Sequence, residues 1–148
     1  MAWPVFSKEY FMQEALKEAF KARETDEVPV GAVIVVNNRI VGRGYNQTET
    51  LNDVTAHAEM LAFTSAAGTL NSKYLDECTL YVTLEPCTMC AGAAFWTQIG
   101  SIVYGASDPK RGFSLLSPSP LHPATTVTGG ILENECSQLL KEFFRKKR

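Results

Sequence analysis

Four side chains in two short segments could form a zinc-activated hydrolytic site. His57 and Glu59 lie in the segment Thr-Ala-His-Ala-Glu, and Cys87 and Cys90 lie in the segment Pro-Cys-Thr-Met-Cys. A histidine nitrogen and two thiolates are ligands that zinc prefers, and three protein ligands leave one position for water, as in catalytic sites. A lone histidine or a lone redox Cys-x-x-Cys pair has simpler explanations, but the combination predicts a metal centre.

The charge of such a centre indicates the reaction. Zn²⁺ with two thiolates and a neutral histidine sums to zero, and zinc bound in this way acidifies a water molecule near neutral pH. Glu59 lies two residues from His57 and is not needed as a ligand. It can take the proton of that water and pass it to a ring nitrogen and then to the departing amine. The predicted reaction replaces an exocyclic amine by a carbonyl and releases ammonia.

One zinc per chain is expected, because the other two cysteines stand apart from this group. Cys78 opens a predicted strand, and Cys136 lies in the predicted last helix amid Leu139, Leu140 and Phe143. We interpret both cysteines as small buried apolar residues.

Two helix starts must bring these side chains together. One helix is predicted from Thr55 to about Ala67, ended by Gly68, and another from Cys87 to about Ile99. Residues two apart on a helix point about 200° apart, so His57 and Glu59 can converge only at the helix end. Cys87 and Cys90, three apart, share a face. Two helix N-termini then meet at the metal, where their partial positive charge favours thiolates.

The rest of the chain alternates between strand and helix patterns. An amphipathic helix is predicted at 7–23, strands at 32–36, 40–45, 79–83, 101–105 and 125–128, and a last helix at 133–146. The first two strands form a hairpin around Asn37-Asn38-Arg39, and 108–123, with four prolines, is a predicted loop. This alternation predicts one domain over 1–148 with an α/β/α architecture.

Composition excludes several classes of protein. The chain has 148 residues, 45% hydrophobic and 20% charged, as in an ordinary globular domain. No apolar run approaches the roughly 20 residues of a membrane span, and no signal peptide is visible at the start, so a cytoplasmic location is expected. The net charge of −2 means that a nucleic acid would need a local basic patch.

Arg145–Arg148, four basic residues in succession, form the candidate patch. They follow Phe143 and Phe144, and an aromatic ring beside such a patch can stack on an unpaired base. Phe144 is therefore a candidate substrate-binding residue. The simpler interpretation is that these cations complement the dipole of the last helix.

Several stretches resemble the cytidine/nucleotide deaminase superfamily and, within it, the tRNA-specific adenosine deaminases. They include Glu-Val-Pro-Val-Gly-Ala-Val at 27–33, Gly-Tyr-Asn at 44–46, Thr-Ala-His-Ala-Glu at 55–59, residues 79–93, Asp-Pro-Lys at 108–110 and residues 129–148. The His-x-Glu and Pro-Cys-x-x-Cys motifs are typical of the superfamily. Residues 84–93, Asp-Pro-Lys and the C-terminal pattern are typical of the adenosine branch.

The resemblance implies a fold, an activity and an assembly. The fold is a three-layer α/β/α sandwich with a central mixed five-stranded sheet, like that of cytidine deaminases. The activity is deamination of adenosine to inosine at the wobble position of a tRNA anticodon loop. The assembly is a homodimer in which the partner helps to shape each site. The helix predicted from Cys87 has an apolar face formed by Ala91, Ala93, Ala94 and Phe95. This face could pack against a second copy of the chain or, equally, against the sheet.

The resemblance also implies roles for individual residues. His57, Cys87 and Cys90 would hold zinc, and Glu59 would carry protons. The implied substrate-binding residues are Asn46 on the flipped base, Val30 and Leu84 around it, and Asp108 and Lys110 on the adjacent nucleotide backbone. Asn46 and Asp108 also have simpler interpretations, as turn residues after a strand and before Pro109.

Two other functions are compatible with the sequence. One is deamination of a free base or nucleoside such as guanine, adenine or cytosine, which needs a closed pocket and no basic tail. The other is a zinc-stabilised module without activity, which would have no use for the proton carrier Glu59.

Overall fold

Five strands form one mixed sheet in the computed structural model, which describes residues 3–147. The strands are β1 (Gly31–Val36), β2 (Arg39–Tyr45), β3 (Thr79–Leu84), β4 (Ser101–Ala106) and β5 (Thr126–Thr128). Their order is β2-β1-β3-β4-β5. β1 is antiparallel to both of its neighbours, and β4 is parallel to both of its neighbours. The expected mixed five-stranded sheet is confirmed.

Four helices cover the two faces of the sheet. They are α1 (Lys8–Glu24), α2 (Ala58–Leu70), α3 (Thr88–Thr97) and α4 (Glu133–Lys146). Because successive strand residues point to opposite faces, Val33 packs with α1 and α4 while Ala32 and Ile34 pack with α2 and α3. The α/β/α sandwich is therefore confirmed. No helix in the described range 3–147 is long and apolar enough to cross a membrane.

Local signals set most element boundaries. The Ser7 side chain accepts a hydrogen bond from the N–H of Tyr10, which caps the start of α1 as predicted. The hairpin turn at Asn37 and Asn38 has φ values of 52° and 61°, the left-handed conformation that a tight hairpin requires and that asparagine tolerates. Both sequence predictions are confirmed here.

The ends of the two motif helices differ from the prediction. Helix α2 begins after His57, not at Thr55, and it runs past Gly68 to Leu70. Asn71 ends it in the left-handed conformation, with φ of 52°, so asparagine supplies the terminus that was assigned to glycine. Helix α3 ends earlier than predicted, because Gln98 adopts the same conformation, with φ of 57°.

Two glycines in β2 let α2 lie directly on the sheet. A Cβ atom added at Gly44 would lie 2.4 Å from the carbonyl oxygen of Ala58, and one at Gly42 would lie 2.7 Å from that of Ala62. Any larger residue would force the helix away from the strand. The glycines therefore hold the start of α2 beside the end of β2, which is where the candidate site lies.

Candidate active site

The predicted metal ligands meet where α2 and α3 begin. His57 is the N-cap residue of α2, Cys87 is the N-cap residue of α3, and Cys90 lies in the first turn of α3. An N-cap residue has extended backbone, which lets its side chain project ahead of the helix. In the described part of the chain, these three residues form the group of ligand atoms that could hold a metal, all within 4.8 Å of one another.

The distances fit a tetrahedral zinc ion. The Nδ1 atom of His57 lies 3.6 Å from the Sγ atom of Cys87 and 3.5 Å from that of Cys90. Ordinary zinc–sulfur and zinc–nitrogen bonds at a tetrahedral angle place a sulfur and a nitrogen about 3.6 Å apart. The donor set therefore matches zinc without rearrangement.

The two thiols and the histidine are electrostatically linked. A hydrogen bond from Cys90, assisted by one from His57, lowers the pKa of the Cys87 thiol to about 3 against the opposing effect of burial. The same hydrogen bond to Cys87 and burial raise the pKa of Cys90. The hydrogen bond to Cys87 raises the pKa of His57, and burial opposes it. The lowered pKa of Cys87 favours the thiolate, the form of cysteine that binds metal.

Glu59 lies buried beside these ligands, with 4% of its surface exposed. Burial raises the pKa of its carboxyl group to about 7. A carboxyl group whose pKa is near neutral pH can both accept and return a proton, which is the property of a general acid–base. Its position in the first turn of α2, two residues after His57, places it in the same pocket as the ligands.

Most of the predicted base-binding residues line that pocket. Its volume is about 270 Å³, close to the lower end of ligand pockets. Five predicted site residues besides the ligands His57 and Cys87 contribute to its wall: Val30, Asn46, Glu59, Leu84 and Asp108.

Asn46 is unusual among the pocket residues. Its Nδ2 atom donates to the carbonyl oxygen of Val28 at 3.2 Å, and its N–H donates to that of Val30. Its Oδ1 atom is buried and has no hydrogen-bond partner in the described structure. A buried acceptor without a partner costs free energy, so its retention in a pocket wall is typical of a ligand-binding group.

A second, larger groove opens from the pocket. Its volume is about 1030 Å³, and it shares Val28, Leu84, Asp108 and Arg111 with the pocket. The predicted residues Lys110 and Phe144 line this groove and do not line the pocket. Its walls carry one carboxylate, Asp108, and five basic side chains: Lys110, Arg111, Lys141, Arg145 and Lys147. The groove is therefore strongly basic although the chain carries a net charge of −2.

Within the basic tail, 145–148, the described residues differ in their surroundings. Arg145 lines the groove, and Phe144, 46% exposed, lies beside it. The ammonium group of Lys147 pairs with Asp26 and lies 5.4 Å from the ring of Phe143, so part of its charge is used within the protein. Arg148 belongs to the predicted patch but lies outside the described residues.

Sequence reasoning missed several residues of the pocket wall. Val28 and Thr48 line the pocket from the loops around β1 and β2, and Arg111 lines both the pocket and the groove. Glu85 lines the pocket next to Cys87. Arg111 adjoins the Asp108-Pro109-Lys110 segment, and Val28 and Glu85 lie within the segments 27–33 and 79–93, but the sequence gives none of them a role. The place of Thr48 depends on packing alone.

Comparison with known proteins identifies the family. Residues 6–106 match the family described as the cytidine and deoxycytidylate deaminase zinc-binding region. The tRNA-specific adenosine deaminase of Agrobacterium fabrum is 46% identical over 144 residues, which cover 94% of this chain and 95% of that protein. The chain belongs to the tRNA-specific adenosine deaminase family. It is a hydrolytic deaminase with zinc as its cofactor, and its fold is that of the cytidine deaminases.

Solved structures agree with this assignment. A structure from a study of A-to-I editing by tRNA:A34 deaminases at the wobble position of transfer RNA has a TM-score of 0.83 and 44% identity. The match covers 88% of this chain and 99% of that chain. The guanine deaminase of Bacillus subtilis is also similar, with a TM-score of 0.65 and 38% identity over 68% of this chain and 65% of that chain. The zinc-stabilised module without activity is not supported.

Proposed function

We propose that this chain is a single catalytic domain that deaminates adenosine to inosine at the wobble position of tRNA. The observation that carries the proposal is the opening of the pocket around Glu59 into a groove with five basic side chains and one carboxylate. A polyanionic strand gains binding free energy along such a groove by releasing its counterions. A base flipped out of that strand would enter the adjoining pocket.

Within the pocket, each residue has a distinct task. His57, Cys87 and Cys90 hold zinc, which supplies an acidified water as the nucleophile when it is bound. The carboxyl group of Glu59 takes one proton from this water and delivers it to the ring nitrogen of the base; it then takes the second proton, from the oxygen now bonded to the base, and delivers it to the departing amine. The bond from the ring carbon to the amine breaks as the carbonyl forms, so adenosine and water give inosine and ammonia.

The remaining residues bind the substrate. Asn46 offers its unpartnered Oδ1 atom to a hydrogen-bond donor on the flipped nucleotide. Val30 and Leu84 pack against the base, because they present apolar side chains to the pocket that Asn46 and Glu59 also line. Asp108 and Lys110 contact the backbone of the adjacent nucleotide. The exposed ring of Phe144 stacks on a neighbouring unpaired base in the groove.

A homodimer is part of this proposal, but only part of the expected surface is available to a partner. Ala91 and Ala94 are buried in the core against the sheet, whereas Ala93 and Phe95 are half-buried. Trp96, also in α3, is 76% exposed and lies next to Tyr74. Exposed aromatic residues that lie together, as Trp96 and Tyr74 do, are typical of an interface. Light scattering should show a dimer at micromolar concentration, and Trp96→Glu should shift it to a monomer.

The experiment that tests the proposed function compares two classes of substrate. Purified enzyme should form inosine in total tRNA from cells that lack their own deaminase, and a Glu59→Ala variant should not. The same preparation should release little ammonia from free guanine, adenine, cytosine and their nucleosides. Rapid ammonia release from a free base, without inosine in tRNA, would instead support the free-base alternative that the likeness to guanine deaminase raises. A cytoplasmic location belongs to this proposal, since tRNA is used in translation there.

A further inference from the structure

The carboxyl group of Glu85 lies between the metal-ligand segment and the loop that follows β4. Glu85 is 2% exposed and precedes the ligand Cys87 by two residues. Its Oε1 atom accepts a hydrogen bond from the N–H of Asp108 at 3.0 Å, and its Oε2 atom accepts one from the N–H of Ser114 at 2.9 Å. One side chain therefore holds both ends of the segment 108–114.

Backbone contacts attach the middle of that segment to the same place. The N–H of Phe113 donates to the carbonyl oxygen of Pro86 at 3.0 Å, and Gly112 forms an isolated antiparallel bridge with Cys87. The segment 108–114 is thus packed against the residues that begin α3. A displacement of Glu85 would loosen it from the residues that line the pocket.

Gly112 leaves the space that the Glu85 carboxyl group occupies. A Cβ atom added at Gly112 would lie 2.3 Å from both the Cδ and the Oε1 atoms of Glu85. The backbone of Gly112, with φ of −65° and ψ of 146°, is one that any residue can adopt. The contact with Glu85, and not the backbone conformation, is therefore what requires glycine here.

The segment held in this way carries the side chains that join the pocket to the groove. Asp108 and Arg111 line both spaces, and Lys110 lines the groove. The Oδ1 atom of Asp108 accepts hydrogen bonds from the N–H groups of Lys110 and Arg111, both at 3.0 Å, which shapes the turn between them. The two basic side chains therefore move with the backbone that Glu85 anchors.

We propose that Glu85 is a positioning residue that sets the affinity of the enzyme for the RNA strand. By anchoring 108–114, it presents Asp108, Lys110 and Arg111 in their binding arrangement before RNA arrives. A loosened segment would have to be ordered on binding, and that entropic cost reduces affinity. The chemical step depends on Glu59 and the metal, and in the described structure no hydrogen bond joins the side chains of Asp108, Lys110 or Arg111 to Glu59 or to the ligands. The kinetic part of this inference rests on the proposed function.

The first test replaces Glu85 by glutamine in the full-length, zinc-loaded enzyme. Glutamine has the same length, but its Nε2 atom would face an N–H donor, so one of the two hydrogen bonds is lost. The KM for tRNA is expected to rise about tenfold, as for the loss of one hydrogen bond to a charged group, while kcat changes less than about threefold. Without RNA, the amide hydrogens of Asp108 and Ser114 should exchange faster.

The second test perturbs the contact between Glu85 and Gly112 by changing Gly112. Gly112→Ala leaves every hydrogen-bonding group in place but pushes the Glu85 carboxyl group away, so it should reproduce the rise in KM and the faster amide exchange. In an E85A background the added methyl group has room, so Gly112→Ala should then have little further effect. Such non-additivity is the signature of two residues that act through one contact. Gly112→Ala keeps the inference testable if Glu85→Gln does not fold.

A matched control separates positioning from a general loss of stability. Thr83 lies on β3, two residues before Glu85, is buried, and accepts a hydrogen bond from the N–H of Gly31 away from the pocket. Thr83→Val should lower Tm without changing KM. The inference is overturned if the effects of Glu85→Ala and Gly112→Ala add, if kcat falls at unchanged KM, or if exchange at Ser114 is unaltered. A wild-type enzyme inactive on tRNA would contradict the proposed function, while the exchange measurement would still decide whether Glu85 anchors the segment.

Discussion

Replacing Asn46 by alanine is expected to separate stability from activity. The substitution removes the buried Oδ1 atom that has no partner, and it removes the hydrogen bond from Nδ2 to the carbonyl oxygen of Val28. That carbonyl keeps a second donor, because the N–H of Val30 lies 2.8 Å from it. No new unpaired group is therefore created in the protein.

The magnitude follows from these two contacts. A buried acceptor without a partner costs about 1–3 kcal/mol, and an ordinary hydrogen bond contributes about 0.5–1.5 kcal/mol. The difference predicts a variant that is more stable than wild type by about 1 kcal/mol, which corresponds to a rise in Tm of about 2–4 °C for a chain of this size. The same change removes one hydrogen bond to the substrate, so kcat/KM for tRNA should fall about tenfold.

Urea denaturation, steady-state kinetics on a tRNA transcript and a zinc assay measure the two effects in one preparation. Asn46→Asp is the matched control, because it keeps an acceptor in the pocket but places an oxygen opposite the carbonyl oxygen of Val28. Its stability should fall below that of wild type. A loss of more than about 1 kcal/mol of stability in Asn46→Ala would show that Oδ1 has a partner. An unchanged kcat/KM would show that Asn46 does not contact the substrate.

Three further predictions concern the proton carrier, the basic tail and a buried carboxylate. Glu59→Gln should lower kcat by about 10²–10⁴-fold, while metal analysis still finds one zinc; loss of zinc would make the residue structural. Removal of residues 145–148 should weaken tRNA binding. It should also reduce the slope of log K against log salt concentration by about 0.7 for each phosphate that the truncated protein no longer neutralises. Lys147→Gln alone should have a smaller effect, because Lys147 already pairs with Asp26. An unchanged salt slope would leave the tail as a solvated helix end. Glu27 is buried, which by itself raises its pKa, but hydrogen bonds from Thr50 and Glu49 outweigh burial and lower the pKa below 4.5. Its stabilisation is therefore present above about pH 4.5 and is lost as the pH falls through the lower, folded-state pKa. Glu27→Gln should reduce the free energy of unfolding at pH 7, and urea titrations should show this deficit shrinking in acid; a constant deficit would rule out an ionised Glu27.

Each half of the metal group could be derived from the sequence because its geometry is local. A ligand at an N-cap, a carboxylate two residues later and a cysteine pair three residues apart are related by the first turn of a helix alone. His57 and Cys87 occupy those N-caps in the structure. Short β-branched runs likewise predict the strands, and their alternation with helical patterns predicts the α/β/α layers.

Helix boundaries were predicted less well, because several residues can end a helix. Asn71 and Gln98 take the left-handed conformation that ends each helix, whereas Gly68, the predicted end of α2, lies inside that helix. The apolar stripe on α3 was also ambiguous. Whether Ala91 or Trp96 faces the core depends on the rotation of the helix on the sheet, which composition does not specify.

Only the tertiary structure decided how the pocket is closed and where it opens. β3 and β4 are parallel neighbours, so the segments that follow them, at Glu85 and at Asp108, leave the same edge of the sheet and meet. α4 packs beside β4, which brings Phe144 and Arg145 to the groove that Arg111 joins to the pocket. These residues are distant in the chain, and spacing along a sequence does not encode which strand edges and helix ends become neighbours. The sequence by itself determined the zinc chemistry, and the pairing of strands determined the surface to which that chemistry is presented.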